Sequence, residues 1–173
     1  MATSILSRKR DLTYFTYFCI AVPMAFIVDL QPLYPHSMIP AWMQSITDYY
    51  IDTYNDLFFI GTPPPFFEFF MYTEMFVQVP VMIWGISALL RDSKMVPLVL
   101  LPFACLVFIS TATCMYEMVH WDVPLKQRLT LIMLYGPYTA LPAFIGTDMF
   151  LRLTAMINSS STPALETSGK KNQ

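Results

Sequence analysis

Four long apolar runs, divided by polar stretches, set the pattern of this chain: about Leu12 to Leu30, Phe66 to Leu90, Met95 to Tyr116 and Leu129 to Leu151. Each holds on the order of 20 residues, the length a helix needs to cross a bilayer core at ~1.5 Å per residue. Prolines fall inside them at Pro23, Pro80, Pro97, Pro102, Pro137 and Pro142. Membrane helices tolerate proline, and the kinks open space between helices. The pattern predicts an all-α membrane protein, a kinked bundle of four transmembrane helices over 11–152. A short segment, 1–10, precedes it, and a Ser/Thr-rich tail without apolar periodicity, 153–173, is expected to be disordered.

The long polar connection, Gln31 to Pro65, is not featureless. From Ala41 to Phe59, Met43, Ile46, Tyr50 and Leu57 recur near helical spacing, with Asp48, Asp52 and Asp56 between them. This describes either an amphipathic helix on the membrane surface or a lid over the mouth of the bundle with Asp56 turned inward.

Composition agrees with a membrane setting. Only 13% of the residues are charged, about half the usual share for a soluble domain. The formal net charge of -2 and the lack of a basic patch point away from nucleic acid. Cys19, Cys105 and Cys114 all fall in apolar runs and read as small core or lipid-facing fillers, not as a disulfide or zinc set. The start of the chain lacks a small-residue cleavage site at the right distance, so its first apolar run reads as a retained span. Basic residues orient the bundle. Arg8, Lys9, Arg10, Arg91, Lys94, Arg152, Lys170 and Lys171 fall on one side, against Lys126 and Arg128 on the other. The positive-inside rule then places both termini in the cytosol. On that side the Asn158-Ser159-Ser160 sequon is expected to stay unmodified. The closing KKNQ has the form of a dilysine retrieval signal, which points to the endoplasmic reticulum.

The chemistry lies in the few acids within the apolar runs. Glu74 and Gln78 stand four residues apart, on one face of the second span. Glu74 is ~12 Å deep from the outer side, and Asp29 lies near the outer end of the first span. A carboxylate at such depth is expected to face protein or a cavity rather than lipid. If the two acids meet, they would share a proton, and the remaining charge would attract a cationic amine. The bland alternative is an acid pair that only locks two helices. Tyr135 and Tyr138 in the fourth span share a face and read equally as cavity lining or packing. Glu117, His120 and Asp122 follow the third span; with one histidine and with Lys126 and Arg128 close by, they read as a solvated loop, and no metal site is expected.

Three stretches carry a resemblance: VDLQ at Val28 to Gln31, PPPFFEFFMYTEMFVQVP from Pro63, and RLTLIMLYGPYTALP at Arg128 to Pro142. In this order they resemble the sigma-2 receptor, or transmembrane protein 97, family of the EXPERA group, whose relatives include the emopamil-binding-protein sterol isomerases. The resemblance spans roughly Asp11 to Leu151. It implies an endoplasmic-reticulum membrane protein of four helices, able to form homodimers. Its pocket would open toward lipid and bind sterols, oxysterols, other isoprenoid lipids or cationic amphiphiles, with a role in sterol and lipid homeostasis. No cofactor is implied. Carried over by motif, Asp29 would pair with a ligand amine, Glu74 would hydrogen-bond Asp29, and Asp56 would lie in the loop covering the pocket. Gln78, Tyr135 and Tyr138 would line it. The third loop is shorter here than in the animal proteins, and no third-span contact is carried over.

Two functions remain open on this reading, beside the blander one of a scaffold whose pocket is vestigial. One is a binding protein whose acids read the polar end of a ligand, with aromatics such as Phe70 or Phe76 holding its apolar body. The other is an intramembrane isomerase or terpenoid cyclase, with Glu74 as acid and Asp29 tuning it. The isomerase relatives use a histidine inside the bundle; here His36 and His120 both fall outside the apolar runs, which argues against sterol isomerisation but not against a cyclase.

Overall fold

The computed structural model describes residues 4–160; the KKNQ motif and the expected tail beyond Ser160 lie outside them. Among the described residues every regular element is helical. Helix α1 (Lys9–Met24) passes directly into a π turn, Ala25–Asp29. Two 3-10 turns lead to α2 (Ala41–Tyr54), which the left-handed Asn55 ends. Helix α3 (Pro65–Thr73) continues through a second π turn, Glu74–Gln78, into α4 (Val79–Leu90). Helices α5 (Val96–His120) and α6 (Leu125–Ser160) complete the chain.

Four helical stretches are long and apolar enough to cross a membrane: Lys9–Asp29, Pro65–Leu90, Val96–His120 and Leu125–Ser160. They match the four apolar runs, and most differences lie at the ends. Only 17–33% of each apolar window is buried within the molecule, so lipid is the complement of the remaining surface. Glu117 and His120, read from sequence as loop residues, belong to the last turn of α5. Helix α6 continues to Ser160, through the first part of the stretch expected to be disordered. Here the hydroxyl side chains are satisfied along their own helix. Thr154 donates to the Phe150 carbonyl at 2.9 Å, and Ser159 and Ser160 donate to those of Met156 and Ile157 at 2.9 and 2.7 Å.

Helix α5 packs along α6, and α1 packs along α4. Tyr14 and Phe18 of α1 are fully buried between them. Phe18 meets Phe103 edge-on at 5.6 Å, and its ring leaves room for no side chain at position 85. A Cβ added to Gly85 would lie 2.8 Å from Phe18 Cε2. Gly85→Ala is therefore expected to destabilise by about 1–3 kcal/mol through overpacking, read as a lower unfolding temperature in detergent. Gly136, whose added Cβ meets nothing within 4 Å, is the control.

The connection between α2 and α3 closes one end of the bundle. Phe58 is 1% exposed. It stacks on Phe67 at 4.5 Å and meets Trp121 edge-on at 4.8 Å. Gln127 on α6 donates to the Asn55 carbonyl at 2.8 Å. The stretch read from sequence as a surface helix or a lid is thus a helix, α2, followed by a loop plugged into the bundle. At the opposite end, α1 begins and α4 turns into α5.

Candidate functional site

Beneath the plugged loop lies a cavity of about 390 Å³. Helix α1 supplies Ala21, Met24, Val28 and Asp29 to its wall; α2 supplies Ile46, Tyr49, Tyr50 and Tyr54. Thr111 of α5 and Leu134, Tyr135 and Tyr138 of α6 complete most of the rest. The α1 residues follow a 3–4 spacing until the π turn, where one extra residue per turn brings Val28 and Asp29 to the wall together. The π geometry is visible in the Leu30 N–H, which donates at 2.9 Å to the Ala25 carbonyl five residues back. The second π turn opens with Glu74 and precedes Pro80, whose missing N–H already breaks the regular ladder. Both intramembrane acids therefore sit in π turns, a distortion frequent at functional sites.

Asp29 and Glu74 lie close enough for each charge to act on the other, and Tyr17 stands near both and near Tyr138. Among the described residues no hydrogen bond joins Asp29 to Glu74, and no salt bridge reaches either one. Asp29 is therefore an acidic spot on an otherwise apolar and phenolic wall. Glu74 backs it rather than forming the wall itself.

Asp56 is fully buried behind the cavity. Its carboxylate accepts from the Tyr50 hydroxyl at 2.7 Å, the Tyr135 hydroxyl at 2.8 Å and the Phe58 N–H at 3.0 Å. One acid thus fixes two cavity-lining phenols from different helices. Burial pushes the Asp56 carboxyl up, against the pull of these donors. Burial, then the charge of Asp56, also pushes the Tyr50 phenol up, so it stays a donor.

Of the residues expected from sequence, Asp29, Tyr135 and Tyr138 line the cavity, and Asp56 braces it. Glu74 stands behind Asp29. Gln78 is buried but is not part of the wall. Phe76, expected to hold an apolar ligand body, is 68% exposed on the outer surface, on the helix face opposite Glu74 and Gln78. Phe70 packs instead in the aromatic cluster with Phe66 and Phe69. Sequence reading missed Tyr17, Met24 and Tyr49. Tyr17, Ala21, Met24 and Val28 share one helical face leading to Asp29, a spacing that was available in the sequence.

Comparison with known proteins agrees with this architecture. The family model EXPERA (EXPanded EBP superfamily) matches residues 42–149, from α2 to near the end of α6. Sigma intracellular receptor 2 of Xenopus tropicalis is 24% identical over 156 residues, covering 84% of this chain and 91% of that protein. Its human counterpart is 24% identical over 149 residues, covering 79% of this chain and 84% of that protein. Efficient mitochondria targeting-associated protein 19 of Schizosaccharomyces pombe is 28% identical over 153 residues, covering 83% of this chain and 76% of that protein. With four membrane-length helices in one bundle and a family match over more than half its length, this chain belongs to the EXPERA (EXPanded EBP superfamily) family and is sigma-2 receptor-like.

Proposed function

We propose that this protein binds a sterol-like or cationic amphiphilic lipid in the cavity beneath the plugged loop. The supporting observation is the wall itself: about 390 Å³ of mainly apolar and phenolic surface with Asp29 as its carboxylate. That volume falls within the ~300–1,000 Å³ of small-molecule sites, which combine apolar linings with a few placed polar groups. An amine or hydroxyl would meet Asp29, backed by Glu74, and the apolar body would lie along Met24, Val28 and the α2 aromatics. Tyr49 and Tyr138 are exposed at the rim, which suits entry of a ligand from the bilayer. By analogy with the relatives named sigma intracellular receptor 2, the setting would be the endoplasmic-reticulum membrane. Both termini would be cytosolic, the protein able to pair as a homodimer, and its role one in lipid homeostasis.

Asp29→Asn keeps the shape and removes the charge. Charge-assisted hydrogen bonds contribute about 1.5–3 kcal/mol, so a cationic amphiphile is expected to bind roughly tenfold to a hundredfold more weakly. A neutral sterol should lose far less. Radioligand or fluorescence binding to purified protein measures both, and equal affinities for the amine in wild type and variant would sink the reading.

A second reading, an intramembrane isomerase or terpenoid cyclase, draws on the closeness of Asp29 and Glu74 without a cationic partner. Extraction and mass spectrometry of co-purified lipid separate the two. A ligand carried unchanged by wild type and lost by Glu74→Gln supports binding. A precursor that accumulates only on Glu74→Gln supports catalysis.

A further inference from the structure

A second cleft lies at the opposite end of the bundle from the cavity. It measures about 300 Å³ and is lined by Arg8, Lys9, Arg10, Asp11, Asp92 and Arg152. It opens where α1 begins, beside the turn from α4 to α5 and the flank of α6, and so at the level where the spans leave the hydrocarbon.

Much of its charge is internally paired. Arg152 donates to Asp11 at 2.6 Å and to Asp148 at 2.7 Å. Arg10 reaches the other oxygen of Asp148 at 2.7 Å, and Arg8 pairs with Asp11 and, at 3.2 Å, with Asp92. The balance is nevertheless positive. Four cations face Asp11, Asp92 and Asp148, leaving an excess of one.

Several donors are also uncommitted. Lys9 is exposed and makes no ion pair among the described residues. The Arg10 side chain is 66% exposed, with only one of its nitrogens engaged. Helix α1 starts at Lys9, which puts the positive end of its dipole at the same end of the bundle as the cleft. A structural clasp needs only the paired groups. A free ammonium, a guanidinium with an open face and a helix start around one cleft of net positive charge fit an anion with several acceptor oxygens.

We infer that this cleft binds a phosphate group, presented by an anionic phospholipid of the surrounding leaflet. The tetrahedral oxygens would take the Lys9 ammonium and the free face of Arg10, while the ester chain runs into the bilayer beside α1.

The test uses the full chain in detergent, titrated with short-chain phosphatidylglycerol, short-chain phosphatidylcholine or inorganic phosphate, with thermal unfolding followed by tryptophan fluorescence. Phosphatidylglycerol is expected to raise the unfolding temperature at concentrations where phosphatidylcholine does not. Lys9→Gln disrupts no ion pair and is expected to weaken that effect about fivefold, the worth of one basic residue at a membrane surface. Lys94→Gln, a charge loss at the same end but outside the cleft, should leave it unchanged. Stabilisation by millimolar inorganic phosphate equal to that by the lipid would overturn the lipid as source while keeping the phosphate site. Equal response to the two lipids, or equal weakening by Lys9→Gln and Lys94→Gln, would overturn the site.

Discussion

Asp56→Ala is expected to cost about 3 kcal/mol or more and to empty the cavity. The substitution removes the shared acceptor of the Tyr50 and Tyr135 hydroxyls and of the Phe58 N–H. Each buried donor left unsatisfied costs about 1–3 kcal/mol; the three are not additive, because the loop relaxes and water enters. The effect on ligand follows from position, since Tyr50 and Tyr135 form part of the cavity wall on α2 and α6. Asp56→Asn is the informative companion. Its amide retains an acceptor oxygen, and the tyrosine hydroxyls can turn to accept from its nitrogen, so most stability should survive. It also removes a titration whose sign is fixed. Burial raises the folded carboxyl above the usual 3.8, so over the window from 3.8 to the raised value the folded state binds more protons than the unfolded. The Asp56 contribution to stability therefore falls as pH rises through that window, and Asp56→Asn should flatten this fall. Thermal unfolding in detergent across mildly acidic to neutral pH, for wild type and both variants, measures all three effects. If Asn is as damaging as Ala, the carboxylate itself, rather than the shape and acceptor it provides, holds the loop.

The spans were legible because their cause is one-dimensional: a helix crossing hydrocarbon needs a long apolar run, and the chain has four. Asp29, Tyr135 and Tyr138 were legible for a related reason, since polar groups inside such runs must face something other than lipid. The π turns were not. A single residue added per turn changes which side chains share a face, and nothing in AFIVD or EMFVQ announces it apart from the nearby prolines. This is why Gln78 is buried without reaching the cavity; Phe76 lies outside for a simpler reason, since two residues from Glu74 it falls on the opposite face of the helix. The role of Asp56 was half legible. Spacing left its inward turn as one of two readings, and its partners come from α2, α6 and its own loop, which only the fold brings together. The charge cluster at the far end was missed although it left a trace: Asp148 and Arg152 are four apart on one helix, and Asp11 follows Arg8 by three. Read only as topology signals, these basic residues concealed their acidic partners.

Arg152→Met should destabilise the bundle by roughly 3 kcal/mol, because it strips one partner from two carboxylates that are almost wholly buried. The Asp11 and Asp148 side chains are 6% and 3% exposed, and removing one partner of a buried pair typically costs about 3–5 kcal/mol. The lower end applies here, since Arg8 still reaches Asp11, and Arg10 and the Tyr14 hydroxyl still reach Asp148. Arg152→Lys should rescue only in part: one ammonium is a poor bridge between two carboxylates that a guanidinium fork spans. Arg10→Gln, at a side chain 66% exposed, should cost less than about 1 kcal/mol. Unfolding temperatures and the monodisperse fraction in detergent give the order wild type, Arg10→Gln, Arg152→Lys, Arg152→Met. If Arg152→Met proves as mild as Arg10→Gln, the clasp does not hold α1 to α6. If the order stands, a second effect follows. The π turn that continues α1 carries Asp29 and α6 carries Tyr138, both in the cavity wall, and the clasp ties the two helices together from the other end. Arg152→Met should then weaken ligand retention with every cavity residue intact, and Arg152→Lys should recover it in proportion to the stability it restores.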